Sequence, residues 1–395
     1  MILPDPFANP VELQSLGSFL RGRGVSRSDL VEDGVPVVLY GDLYTRFDGI
    51  ISEAAQFILP EIATGSTAIK VGDILFPTAG ETSDEIGKPS VYLSKSEAFA
   101  GGDIIIFRPN DAKISEFLTL SLRTHESYRY RYRMAQGQSI VHINQGNLET
   151  HPVFVLESYD MCRIANISST WDRAIEKTGD LVAAKMELKI ALMQQLQRQV
   201  TKLWRECKLG ELFKHRKKKG TNGLPTYSVT MDNGLVLRDS LERKNDTSLR
   251  PDEHLLIEKD DIAYNMMRMW QGASGLAPES GLVSPAYVVL RCTGEVDPLF
   301  ASYWFKTPRV VKKFQDYSHG LTKDRLRLYY KDFASITLPV PPIDLQRKIA
   351  KALAACDREL DRLQRKVAFL KQQKKGLMQQ LLTGKIRVKL PKGAK

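Results

Sequence analysis

The pentapeptide Leu-Met-Gln-Gln-Leu stands twice in this chain, at Leu192–Leu196 and Leu377–Leu381, each time near the end of a long helical pattern. The likeness keeps a constant offset of 185 residues: Asp172-Arg173 falls on Asp357-Arg358, Val182-Ala183 on Val367-Ala368 and Ile164-Ala165 on Ile349-Ala350. Farther upstream the offset becomes 183, with Phe117 on Phe300, Thr124 on Thr307, Gly137 on Gly320 and Asp103–Arg108 on Ala286–Arg291, so one two-residue indel explains the shift. Near the start of each half, Leu16-Gly17 answers Leu209-Gly210 and Gly72-Asp73-Ile74 answers Asp260-Asp261-Ile262. The chain is a tandem duplication of about 190 residues, a longer period than solenoid repeats show.

Residues 13–150 mix short β-like runs (Val35–Tyr40, Ile74–Phe76, Ile104–Phe107) with Gly, Pro, Asp and Ser before a helical Ser115–Thr124, which predicts a compact α/β domain. Punctuation then nearly vanishes from Ile164 to about Trp204, which predicts one long helix. In the second copy the helix is explicit. Ile349, Leu353, Cys356, Leu360, Leu363, Val367, Leu370, Lys374, Leu377 and Leu381 are spaced 4,3,4,3, the 3.5-residue period of a coiled coil. Pro341-Pro342 precede it and Thr383-Gly384 follow. The matching seam of copy one is Ile164, Ser168, Trp171, Ile175, Thr178, Val182, Lys185, Lys189, Leu192 and Leu196, more polar and hence in need of a partner. A helix spanning such a seam is roughly 50 Å long. Two of them in one chain are expected to pair antiparallel within the molecule; two independent helices, or pairing between molecules, are the alternatives.

The expected fold class is therefore α/β (α+β): two similar domains, residues 1–150 and 207–337, and two long-helix segments, 151–206 and 338–395, in a pseudo-twofold arrangement.

A net charge of +11 hides an asymmetry, since residues 1–200 sum to −6 and residues 201–395 to +17. The basic half predicts a polyanionic partner, because Lys and Arg that neutralise phosphates release counterions. Cys162, Cys207, Cys292 and Cys356 form no C-x-x-C pair, which argues against zinc and disulfide frameworks and for a reducing cytoplasm. Met1–Pro10, with Asp5 and three prolines, is no signal peptide, and no run of 18 apolar residues predicts a membrane span.

Catalytic motifs are missing. Gly87-Lys88 lacks the upstream glycine of a phosphate loop and is followed by Pro89, the six histidines have no metal spacing, and there is no G-x-S-x-G. Asp5-Pro6-Phe7 only faintly evokes an amino-methyltransferase motif, and Pro251-Asp252 with Glu258-Lys259 has the wrong spacing for a nuclease. The expectation is a chain that is not an enzyme and carries no cofactor or metal.

What the chain has instead is base interleaved with aromatics. Tyr128–Arg133, with Arg129, Arg131 and Arg133, and the set Arg309, Lys312, Lys313, Lys323, Arg325 and Arg327 lie at equivalent places of the two copies. Arg21, Arg23 and Arg27 stand near the first strand, and Arg216, Lys217, Lys218 and Lys219 at the equivalent point of copy two. Arginine and lysine suit phosphate clamps and guanine readout; the alternative is a solvated face with its stems packed on the domain.

These residues resemble the DNA-specificity subunits of type I restriction-modification systems, over essentially the whole chain. The most specific marks are Leu338–Pro342 followed by Gln346-Arg347-Lys348-Ile349-Ala350, and the terminal Gly376–Lys385. Tyr264–Gly272, which holds Arg268 and Gln271, and Gly281–Tyr287 also look like a segment of such subunits. Copy one departs from the pattern at Phe154–Glu157 and Cys162. The resemblance implies two target-recognition domains that each read half of a bipartite, asymmetric site on double-stranded DNA, with the helices as spacer. It further implies two methyltransferase subunits and restriction/translocase subunits as partners, which would carry S-adenosylmethionine, ATP and magnesium. A coiled-coil scaffold that binds proteins rather than DNA is the competing expectation.

Overall fold

The computed structural model describes residues 10–80, 86–137, 140–198, 204–241, 249–322 and 325–388, with the backbone alone at 195–198. The chain forms two compact units, Met1–Lys177 with Val367–Lys395 and Thr178–Lys366. The boundaries fall inside the long helices rather than between helix and domain, so each unit holds one domain and a piece of both helices.

In the first unit a five-stranded sheet runs in the order Gly17–Arg21, Ile104–Pro109, Ile74–Pro77, Ser90–Tyr92, Ile50–Ile51. The strand Ile104–Pro109 is apolar on both faces because both are covered, by Phe117 and Leu118 of helix Ser115–Leu122 on one side and by a second five-stranded sheet's core on the other. In the second unit the corresponding sheet has four antiparallel strands, in the order Phe213–Arg216, Tyr287–Cys292, Ile262–Asn265, Ser274–Leu276. Its core is aromatic: Phe213, Phe305, Phe314 and Phe333 are fully buried, and Phe305 meets Phe314 edge-on with ring centroids 5.3 Å apart.

Each domain closes by pairing its first strand with its last. Val11–Glu12 lies antiparallel to Pro152–Val153, and Arg205–Lys208 to Thr337–Val340; Leu13 N donates to His151 O at 3.0 Å and Leu209 N to Ile336 O at 2.9 Å. The chain thus leaves each domain beside the point where it entered, and the long helix starts there. Gln346 fixes this start in the second unit. Its side chain is fully buried, Nε2 donating to the carbonyls of Glu295 and Pro341 and Oε1 accepting from Asp297 N.

The helices span Ser158–Arg198 and Ile343–Leu382, 41 and 40 residues, longer than the seams alone required. Gly384, at φ +70°, follows the second, a left-handed position that favours glycine. Within the first unit Met161 and Ile164 share a core with Met378, Leu381 and Leu382, and Lys374 Nζ donates to both oxygens of Asp172 at 2.6 and 2.5 Å. Within the second unit Lys185 pairs with Glu359 and Lys189 with Asp357, while Leu192 and Met193 pack on the core containing Ile349 and Leu353. In each unit ascending positions of one helix meet descending positions of the other, so the two stretches run antiparallel.

Trp171, Ile175, Val182, Leu192, Leu353, Leu360, Leu363, Val367, Leu370, Leu377 and Leu381 are buried or half-buried, whereas intervening Arg173, Glu176, Arg358, Asp361 and Arg365 are exposed. The Leu196 side chain lies outside the described residues. No helix is long and apolar enough to cross a membrane among the described residues.

Candidate nucleic-acid interface

The edge strands Gly17–Arg21 and Phe213–Arg216 are equivalent by register, with Leu13 rather than Leu16 answering Leu209, which corrects the expected match of Leu16-Gly17 with Leu209-Gly210: Arg21 lies opposite Ile105, and the residue after Arg216 takes that place in copy two. Arg21 and Lys217 therefore stand at the same point, and both are exposed. Arg23, Arg27, Lys218 and Lys219 are exposed as well; Lys218 Nζ is 3.7 Å from Glu258. A cleft of about 320 Å³ brings Arg21 together with Thr78, Asp103, Gln136, His142 and Asn144.

Arg216 does not join this surface, which corrects its expected role. Its guanidinium donates to both oxygens of buried Asp261, at 2.6 and 3.2 Å, and contacts Glu258 at 3.0 Å. Asp261 also accepts from Glu258 N, tying down the turn before strand Ile262–Asn265. Copy one has the same device from a different strand. Arg108, absent from the basic clusters of the sequence, donates to both oxygens of buried Asp73 at 2.8 and 2.7 Å, and Asp73 accepts from Lys70 N. Register puts Arg216 on the apolar Leu20, and Arg108 on Arg291. The repeat retains the clamped turn and changes which strand clamps it.

Helix His125–Met134 matches helix Pro308–Asp316. Their inward faces are Ser127 with Arg131 and Val310 with Phe314, each an i,i+4 pair on one side of a helix. A second correction concerns Arg131, which is 3% exposed and occupies the place of Phe314. Burial lowers its pKa to about 10, still far above neutrality, and the charge is met by the Leu122 and Ile86 carbonyls at 2.6 and 3.3 Å. The 183-residue offset aligns Arg131 with a phenylalanine, so the signal is present in the sequence. The outward faces keep the expected character. Arg129, Tyr132 and Arg133 are exposed in copy one, Lys312 is exposed and Lys313 half-buried in copy two, and Arg129 stands on Lys312.

In the second unit three basic segments meet. Gly272, in the turn that carries exposed Arg268 and Gln271, lies against Val311 of helix Pro308–Asp316. Leu328 N donates to Met266 O, which joins the loop bearing Arg325 and Arg327 to that turn. Arg268 Nη1 donates to Gln271 Oε1 at 3.3 Å and Lys312 pairs with Asp316, both in the open, where such bonds exchange readily with a ligand. Lys323 lies outside the described residues. Among the described residues no group of three His, Cys, Asp or Glu side chains could hold a metal ion.

The chain is 26% identical over 344 residues to the protein named as the putative MjaX type I restriction enzyme specificity subunit of Methanocaldococcus jannaschii, covering 81% of this chain and 79% of that one. It is 25% identical over 135 residues to the MjaVIII specificity subunit of the same organism, 33% of this chain and 30% of the other. Its fold matches the type I restriction-modification S subunit from M. genitalium with a TM-score of 0.58 at 16% identity, over 97% of this chain and 96% of that one. The HsdS subunit from Thermoanaerobacter tengcongensis gives 0.50 at 15% identity, over 95% and 96%. No protein-family model matches.

Proposed function

Since the chain is a relative of the type I restriction enzyme specificity subunits, as its motifs indicated, we propose that it is the DNA-reading, non-catalytic subunit of such a complex. In this reading each domain binds one half of a bipartite, asymmetric site on double-stranded DNA. The long helices form an antiparallel intramolecular coiled coil with pseudo-twofold character that sets the gap between the halves and docks two methyltransferase subunits. Methylation, cleavage and translocation, with S-adenosylmethionine, ATP and magnesium, then belong to the partner methyltransferase and restriction subunits, in the cytoplasm.

The observation that carries this reading is the repetition of one ion pair. Asp172 with Lys374 in one unit and Lys189 with Asp357 in the other are the same pair under the 185-residue offset, with the roles of the helices exchanged. A pair of helices that exchange roles has isologous, twofold character, and domains attached to such a pair would face DNA as unlike halves of one reader. Exposed bases at matching points, Arg21 and Lys217, Arg129 and Lys312, support phosphate contact by both domains.

Two measurements test it. The chain assembled with a type I methyltransferase subunit is expected to select two short fixed motifs at constant separation from a random DNA library; absence of any sequence preference favours the protein-binding scaffold, which the acidic balance of residues 1–200 otherwise supports. A heptad inserted after Leu363, matched in the first helix, adds about 10 Å of helix, and is expected to lengthen the gap by about three base pairs at roughly 3.4 Å each. An unchanged gap refutes the ruler role.

A further inference from the structure

The step from the 183- to the 185-residue offset falls at one identifiable place. An antiparallel bridge joins Gln136 to His142 in copy one and His319 to Arg327 in copy two. The first pair lies at the 183-residue offset and the second at 185, so the indel falls in this loop, which holds five residues between its paired ends in copy one and seven in copy two. Both loops are built on a glycine that lets the limbs close. A Cβ on Gly137 would lie 2.0 Å from Ile140 O, and one on Gly320 would lie 2.5 Å from Arg325 O. His319 and Arg327 exchange two backbone hydrogen bonds of 2.9 Å, so the base of the longer loop is fixed.

Leu321 follows Gly320 directly and is 96% exposed, the highest value of any large apolar residue among the described residues. The same loop carries exposed Arg325 and Arg327, and the Leu328–Met266 bond ties its end to the turn with exposed Arg268 and Gln271. An aliphatic side chain held in water beside the paired base of a loop that also carries exposed arginines has the form of a wedge that enters between stacked bases. Copy one offers no equal: Ile140 is 57% exposed, and its carbonyl lies in the limb against Gly137.

We propose that Leu321 inserts between base pairs of the half-site read by the second domain, unstacking one step and making that half's recognition depend on how easily the step deforms. This rests on the DNA-reading role and adds to it a shape-sensing contact confined to one half. Pyrimidine–purine steps, which unstack most easily, are the favoured target.

The test uses the full chain assembled with methyltransferase, wild type against Leu321→Ala and Leu321→Phe, on the library-selected site with 2-aminopurine placed in turn at each position of the second half-site. Wild type is expected to raise fluorescence at one step; Leu321→Ala is expected to abolish that signal and weaken site binding about tenfold, leaving the salt slope unchanged. Leu321→Phe is expected to restore both. A signal and an affinity that survive Leu321→Ala overturn the wedge while leaving the reading role intact, and so does a loss of methyltransferase assembly in place of the fluorescence change. A wild-type complex with no sequence preference overturns both. Folding does not confound the result, because Leu321 contributes almost nothing to the core.

Discussion

The interiors of the two domains solve one packing problem with different chemistry. Where copy two places Phe314 and Ile336, both fully buried, copy one places Arg131 and His151. Phe314 and Ile336 gain by leaving water. Arg131 needs two carbonyls, and His151 lies with Nδ1 3.0 Å from Pro152 O, Nε2 3.4 Å from Ser127 O and the Tyr130 ring at 4.5 Å. Duplicated sequence thus preserved shape at these positions and let polarity drift, provided each polar group found partners. The helices drifted less, since an ion pair occurring twice constrains both copies together.

Truncation separates the two interiors most strongly. Phe314→Ala is expected to destabilise the second domain by about 3–5 kcal/mol, seen by domain-resolved amide exchange. Arg131→Ala leaves the Leu122 and Ile86 carbonyls without their donor and is expected to cost the first domain about 2–3 kcal/mol, whereas exposed Arg129→Ala stays within about 0.5. Equal effects at Arg129 and Arg131 would show that Arg131 is no core residue.

Titration distinguishes the domains next. Burial foremost, then the Arg131 charge, lowers the His151 pKa from 6.5 to about 4. The unfolded chain takes up a proton that the folded domain refuses, so stability is full above about pH 6.5 and falls as pH drops toward 4. The loss at pH 4 approaches about 3 kcal/mol. The second domain lacks this group at Ile336, and His151→Ile should flatten the first domain's profile; a profile unaltered by that change contradicts the assignment.

The smallest effects sit on the helices. Asp172→Ala removes one half-exposed ion pair and should cost about 0.5 kcal/mol. Asp357→Ala also strips the Tyr303 hydroxyl of its acceptor at 2.6 Å, and should cost about 1–2. Indistinguishable values, from urea melts of the two variants, would mean that Tyr303 adds nothing. For DNA, replacing Lys217, Lys218 and Lys219 together by Ala should lower the salt slope by up to about 2.7, roughly 0.9 for each phosphate no longer neutralised, with the site preference kept.

Periodicity alone makes the helices legible, because a 3.5-residue seam over ten positions has no other economical reading, and the half-buried stripe from Ile164 to Leu192 follows it residue by residue. Domain strands are legible where runs are apolar on both faces, as at Ile104–Pro109. Arg131 and Arg216 turn inward against expectation for a common physical reason. An arginine carries a long apolar stem and five donors, so residue type leaves open whether it faces water or fills a core hole lined with carbonyls or a carboxylate. Register decides it in each case, through Phe314 and Leu20. Arg108 is invisible in the charge pattern because its partner Asp73 lies 35 residues away in sequence and only the sheet brings them together.

If two unlike domains on a twofold helix pair read two unlike half-sites, exchanging one domain must change the symmetry of the site. The direct experiment replaces the first domain by a second copy of residues 207–337, retains both helices, and sequences the DNA selected with the methyltransferase partner. The expected outcome is an inverted repeat of one wild-type half-site with the gap unchanged. Selection of the original asymmetric site, or of a direct repeat, contradicts it.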